Sequence, residues 1–322
     1  EIVEDTNAEL SVSELLERAN RDRTPDFDEP ELMGDIAINS PDERNADPCT
    51  SRGCMWGKYN DGKVYVPYVI ANHYSSRELS IIQRGLDSFS SMSCIRFKRR
   101  SNERDYLSIE SRNGCYSYVG RTGNAQTVSL SRSGCLYHNT VQHELLHALG
   151  FNHEQTRNDR DNYIRVVWEN VITDMKHNFN KKNTLNQGTS YDYNSVMQYH
   201  KYAFSKNNRP TMVPIPNSNV EIGKATQMSQ NDVNRLNRLY KCCEYHSCTP
   251  QSRWACYSCT SQSKWACYSC TSQSKRACYS CKPQSKWACY SCTSQSRWAS
   301  FSCTFLAVGF VLCSDTHWAP IA

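Results

Sequence analysis

The sequence predicts an α+β fold: a twisted sheet backed by two helices, in two subdomains with a cleft between the halves. Three observations predict it. Short runs rich in β-branched and aromatic residues, at 64–70, 94–98, 106–110, 115–119 and 127–131, lie between turn-rich segments and read as strands. A helical stretch at 75–89 opens on a Ser75/Glu78 capping box and carries Leu79, Ile82, Leu86 and Phe89 on one face. A second helix includes HELLHAL at 143–149, with Leu145, Leu146, Ala148 and Leu149 placed for the core. Residues 154–242 form the other half. They are poorer in periodic signal, rich in Asn and Tyr, and close on a helix with Val233, Leu236 and Tyr240 in one stripe.

Charge divides the chain of 322 residues into three segments. Residues 1–44 hold 4 basic and 14 acidic residues, a net of −10, whereas residues 45–242 hold 26 and 16, a net of +10. An acidic leader on a basic domain suits a propeptide held partly by electrostatics, two independently solvated surfaces being the alternative. Ser11 and Glu14 form a capping box ahead of Leu15, Leu16 and Ala19, so the leader is expected to contain a short helix. Residues 243–322 repeat every eleven positions, with Cys248, Cys259, Cys270, Cys281, Cys292 and Cys303 in register and Trp254, Trp265, Trp287 and Trp298 recurring. Near-identical repeats with so few aliphatic residues offer little core. This tail is read as a disordered low-complexity extension, or as an artefact of a reading frame carried through a tandem repeat. Metal binding by its C-x-x-C pairs and a disulfide-rich adhesion module are the alternatives.

The 18 cysteines argue for an oxidising, secretory compartment. The chain opens at Glu1 without a signal peptide, and is expected to begin after signal cleavage. The apolar run at 305–313 is far too short to span a membrane, and no N-x-S/T sequon is present. Scattered basic residues without a stacking motif argue against nucleic-acid binding.

The chemistry is carried by HELLHALGFNHE at 143–154. His143 and His147 stand four apart and project from one helical face, where they can grip a single metal ion. Glu144 reaches the same pocket as a base rather than as a ligand. Gly150 accepts the left-handed conformation that ends the helix, and the turn lets His153 return as a third ligand. Three imidazoles leave a position open for water, which is the layout of a catalytic zinc. One Zn2+ per chain is expected. It would bring the pKa of its water from about 15.7 toward 7, with Glu144 taking the proton and handing it to the leaving amine of a peptide.

The extended motif resembles that of the metzincins, and its closing Phe151, His153 and Glu154 resemble the astacin family. Ser195-Val196-Met197-Gln198-Tyr199 is similar to the family's Met-turn. The resemblance implies that Met197 lies beneath the metal and that Tyr199 is a fifth ligand that swings to stabilise the oxyanion. Leu32-Met33-Gly34-Asp35 resembles the pro-segment motif F-x-G-D, with leucine where phenylalanine is usual. It implies that Asp35 ligates zinc in a latent zymogen. An activating protease is expected to cut after Arg44, and the resemblance pairs the new N-terminus, Asn45, with Glu154. It also implies the disulfides Cys94–Cys242, Cys115–Cys135 and Cys49–Cys54. The first closes a very long loop, where the chain-entropy estimate is on the order of 4–5 kcal/mol.

Within astacins, Cys49–Trp56 and the segments at 64–70 and 75–89 look like fish hatching enzymes of the high choriolytic type. The implied protein is a secreted, monomeric endopeptidase, stored in secretory granules, acting on egg-envelope glycoproteins at hatching. An astacin that processes other extracellular proteins is the nearest alternative, and a non-catalytic Cys-rich matrix or binding protein is the alternative from another class.

Overall fold

The computed structural model describes residues 10–21, 23, 27–38 and 53–242, together with the backbone of short strands between 266 and 320. The chain divides into two units, Glu1–Cys242 and Cys243–Ala322. In the second, Ala266–Cys270 runs parallel to Ala288–Cys292, and Cys303–Leu306, Phe310–Cys313 and Trp318–Pro320 pair antiparallel. The expectation of a poor core there concerns side chains outside the described residues.

The first unit opens with helix α1 (Val12–Asn20) and strands β1 (Glu31–Met33) and β2 (Ile36–Ile38). Then come β3 (Val64–Ile70), α2 (Ser76–Met92), β4 (Ile95–Arg99), β5 (Tyr106–Glu110), β6 (Cys115–Tyr118), β7 (Ala125–Leu130) and α3 (His138–Ala148). The second half holds β8 (Ile164–Val166), β9 (Met212–Pro214), several short 3-10 turns and α4 (Gln230–Leu239). The expected strands all form, displaced by two residues at most. The capping boxes at Ser11/Glu14 and Ser75/Glu78 are both closed, each Ser hydroxyl accepting from the Glu N–H and each Glu carboxylate from the Ser N–H. Helix α2 runs three residues past its expected end. Ser90 and Ser91 there donate their hydroxyls back to Asp87 and Ser88 carbonyls at 2.7 and 2.9 Å, so polar side chains are accommodated in the last turn.

The sheet has the order β1-β2-β6-β7-β5-β3-β4. Strands β7, β5, β3 and β4 are parallel neighbours, and β6 runs antiparallel to β7. The two leader strands are an addition to the expected fold. Their Pro-containing, acidic surroundings carry no alternating pattern, yet β2 pairs parallel with β6, Ile36 opposite Ser117. The leader thus covers the edge strand that would otherwise expose unpaired backbone groups.

Two cores result. The larger packs Ile82, Leu86 and Phe89 of α2 and Leu145, Leu146 and Leu149 of the α3 segment against β3, β5 and β7, with Val12 and Leu16 of the leader included. Gly85 permits the close approach of the two helices, because a Cβ there would collide with Val141. The smaller core gathers Ile164, Phe179, Tyr191, Tyr199 and Met212. Met197 belongs to the first core and Tyr199 to the second, so the segment 195–199 stitches the halves together. The disulfides Cys94–Cys242 and Cys115–Cys135 both form. Cys54 is also disulfide-bonded; its expected partner Cys49 lies outside the described residues.

Candidate active site

Helix α3 ends in a Schellman motif. Gly150, at φ 101°, donates its N–H to His147 O at 2.8 Å, and Phe151 donates to Leu146 O at 3.0 Å. The remaining terminal carbonyls are taken by side chains, Ala148 O by the Trp56 indole and Leu149 O by the Tyr240 hydroxyl, both at 2.9 Å. With these orphan acceptors satisfied, the helix end is fixed, and the chain reverses to bring His153 back against the helix.

The three imidazoles converge through their Nε2 atoms, His147 lying 3.0 Å from His143 and 3.1 Å from His153. In two of them the opposite nitrogen faces a carbonyl: His143 Nδ1 lies 2.8 Å from Val196 O, and His147 Nδ1 lies 2.7 Å from Phe151 O. A carbonyl only accepts, so Nδ1 carries the proton and Nε2 presents its lone pair inward. Asp35 joins them, Oδ2 at 2.7 Å from His143 Nε2 and Oδ1 at 2.7 Å from His153 Nε2. Lone pairs and carboxylate oxygens at such separations repel unless a cation lies among them, so the donor set fits zinc. Among the described residues this is the one cluster able to hold a metal ion, and all four side chains are buried. Burial pushes His147 down to about 4 and lowers His153 as well, keeping both in the neutral form that ligates. Burial alone would raise Asp35, but His153 and His143 beside it hold the carboxyl well below the usual range.

Glu144 is fully buried, and neither of its oxygens has a hydrogen-bond partner among the described groups. Burial first, and the charge of Asp35 second, push its carboxyl well above the usual range. The Tyr199 hydroxyl donates to Asp35 Oδ1 at 2.7 Å, and its ring packs 4.4 Å from that of His153. Burial and Asp35 also raise the phenol, which therefore keeps its proton. Met197 is buried, and its carbonyl accepts the Glu154 N–H at 2.9 Å.

Glu154 is buried, but its expected partner Asn45 and the cut at Arg44 lie outside the described residues. Among the described residues its carboxylate meets Arg235, which donates to both oxygens, and Arg157. Sequence reasoning missed both arginines: Arg235 stands 81 positions away, and Arg157, only three away, lies in an irregular stretch with no periodic pattern to pair it with Glu154. It also missed the Ser229/Asp232 capping box of α4, which was readable as S-x-x-D. Asp232 holds the Met-turn, accepting from Ser195 Oγ at 2.6 Å and from Val196 N–H at 2.9 Å.

The leader is fastened over this site at several points. Asn20 brackets the backbone of Cys115, donating to its carbonyl at 2.9 Å and accepting its N–H at 2.8 Å. Ser13 accepts the His200 N–H at 2.9 Å, Glu17 reaches the His200 ring at 2.5 Å, and Glu14 pairs with Lys224 at 2.8 Å. Gly34, at φ 67°, makes the turn between β1 and β2 directly against Tyr199, where a Cβ would strike the phenol oxygen.

Neutral imidazoles closing on one point, with a buried acid next to them, are the working parts of a mononuclear zinc hydrolase. The surrounding sequence narrows that class: the chain belongs to the astacin family of peptidases, whose model matches residues 55–241. It is 49% identical over 212 residues to high choriolytic enzyme 1 of Oryzias latipes, covering 66% of this chain and 78% of that protein. Low choriolytic enzyme of Oryzias latipes is 45% identical over 233 residues, covering 72% and 84%. The solved structure of high choriolytic enzyme 1, a hatching enzyme zinc-protease from medaka, matches with a TM-score of 0.59 at 49% identity, covering 62% of this chain and 100% of that chain. The protein is an astacin-type zinc metalloendopeptidase close to hatching enzymes.

Proposed function

We propose that the chain is a secreted zymogen whose 45–242 domain, freed by a cut after Arg44, hydrolyses egg-envelope proteins at hatching. The observation that carries the substrate reading is the 49% identity to high choriolytic enzyme 1 over most of the domain. The observation that carries latency is Asp35, seated 2.7 Å from both His143 and His153, where water and substrate need access.

His143, His147 and His153 would hold zinc, which when bound would supply an activated water and polarise the scissile carbonyl. Glu144, buried and without another partner among the described groups, takes the proton as the new C–O bond forms and returns it to the amide nitrogen as the C–N bond breaks. The Tyr199 hydroxyl, released when Asp35 leaves, donates to the carbonyl oxygen as negative charge builds there. Met197 supports the floor from the core. The basic character of residues 45–242, 26 Lys and Arg against 16 Asp and Glu, favours acidic or glycosylated substrates.

The test applies the processed enzyme to isolated fish egg envelopes, with Glu144→Ala and chelator controls. Swelling or solubilisation abolished by both controls is expected. Intact envelopes beside cleavage of a generic protein would leave the protease and remove the hatching assignment, in favour of an astacin that processes other extracellular proteins.

A further inference from the structure

Along a chain whose basic residues are otherwise spread out, residues 96–104 read RFKRRSNER, five cations and one carboxylate in a short run. The fold lays the first part of this run along β4, the last strand of the sheet, with β7, β5 and β3 between it and β6. At about 4.8 Å per strand, β4 lies on the order of 20 Å from the strand that the leader covers beside the zinc site.

Strand alternation sorts the run by face. Phe97 turns toward α2, its ring edge-on to that of Phe89 at 5.4 Å, and on the same side Arg99 lies over the Tyr68 ring. Arg96, Lys98 and Arg100 alternate to the face turned away from α2. There Lys98 stands 6.0 Å from the centre of the Tyr65 ring and Arg100 stands 4.1 Å from that of Tyr106. Lys98 pairs with Glu103, but among the described residues no carboxylate pairs with Arg96, Arg99 or Arg100. Carbonyls fix two of these instead: Arg96 Nη1 donates to Ser93 O and Ile95 O at 2.7 and 2.8 Å, and Arg100 Nε donates to Glu103 O at 2.7 Å. Their positive charge is held in place and left over.

The backbone of β4 is open on its outer side. Cys94 O accepts the Val64 N–H at 3.0 Å and the Arg100 N–H donates to Tyr68 O at 2.9 Å, so the even-numbered residues of this strand bond inward to β3. The N–H and C=O of Phe97 and Arg99 therefore face outward. At Ile95 the outward groups are already engaged, the N–H by Ser93 Oγ at 3.1 Å and the carbonyl by Arg96, so the open register begins at Phe97. Cations two residues apart on one face stand about 6.6–6.8 Å from each other. A second extended strand has the same repeat, and it alone can also fill the backbone groups. Edge cations keep like strands from pairing, whereas a strand with carboxylates at alternate positions is attracted.

We propose that the outer edge of β4 is an exosite for protein substrates: an extended acidic segment of the substrate adds to residues 97–99 as a further strand, its carboxylates facing Lys98 and Arg100. Holding the substrate there raises its effective concentration at the distant cleft and leaves the chemistry unchanged. This rests on the preference for acidic substrates given above, and not on the egg-envelope assignment.

The test first measures, by fluorescence anisotropy, binding of a labelled peptide of alternating glutamate and valine to the zinc-loaded full chain. Lys98→Glu/Arg100→Glu is expected to raise Kd by about tenfold or more, and the milder Lys98→Gln/Arg100→Gln by less. N-methylation of alternate amides in the peptide keeps its charge, removes its donors, and is expected to weaken binding to a similar degree. The second measurement compares, on processed enzyme, a short peptide substrate with the same peptide carrying the alternating segment on a flexible linker. KM is expected to be about tenfold lower for the extended peptide at equal kcat, and charge reversal to remove that difference. Both constants for the short peptide should stay within about twofold in the variants, which also shows that they fold. Unchanged Kd on charge reversal or on N-methylation overturns the proposal. So does binding of dextran sulfate without binding of the peptide, which would make the surface one for polysaccharides. A peptide that binds while KM is equal for the two substrates removes the exosite role. The binding arm involves no envelope and no cleavage, so its failure leaves the hatching reading standing, and intact envelopes in the earlier assay leave this surface standing.

Discussion

The Tyr199 hydroxyl donates to Asp35 at 2.7 Å across 164 positions of sequence, so one carboxylate engages the phenol while it also faces two of the imidazoles. Everything that holds Asp35 in place therefore governs access to the site.

Gly34 is the first such element. Its positive φ of 67° disfavours any side chain, and a Cβ would strike Tyr199. Gly34→Ala is expected to weaken the leader's hold by about 1–3 kcal/mol, the usual cost of a strained backbone position. The measurement is the inhibition constant of an added 1–44 peptide against processed enzyme. An unchanged constant would show that the turn is not needed for the hold.

Tyr199→Phe removes the hydroxyl and keeps the ring packed on His153. If the phenol stabilises the developing oxyanion, kcat falls on the order of 100-fold while KM stays nearly constant. Steady-state kinetics on a generic protein substrate decide it, and a rise in KM alone would assign Tyr199 to substrate binding.

Glu144→Gln keeps the shape of a side chain whose oxygens have no other partner among the described groups. Loss of the base is expected to reduce kcat by about 10²- to 10⁴-fold with zinc retained. Zinc content measured together with activity separates the two roles. A variant that loses its metal along with its activity would make Glu144 structural.

Stability should follow the histidines. Burial pushes His147 down to about 4 in the fold, from 6.5 for a free side chain, and lowers His153 in the same direction. Between those values the unfolded chain binds more protons than the folded one. The stabilisation is therefore present above pH 6.5 and lost as pH falls toward about 4. Calorimetry of the metal-free Glu144→Gln protein, which lacks the opposing titration of that raised carboxyl, should show Tm dropping from pH 7 to pH 5, and a flat Tm over that window would contradict the assignment.

What could be read from the sequence was local. The spacing of His143, Glu144 and His147, the stop at Gly150 and the boxes at Ser11/Glu14 and Ser75/Glu78 are each settled within a few residues, because helix geometry and capping act at that range. The stripes in α2 and α4 were legible for the same reason. Tertiary structure alone decided the rest. The leader's strands form because β6 offers an open edge, although their own residues carry no strand pattern. The fork of Arg235 finds Glu154 because α4 and the zinc helix pack into one core, an arrangement that no local spacing encodes. The sequence by itself determined which chemistry is possible here. The packing of distant segments determined which groups hold that chemistry in place, since burial creates the need for partners and only the folded chain brings them within reach.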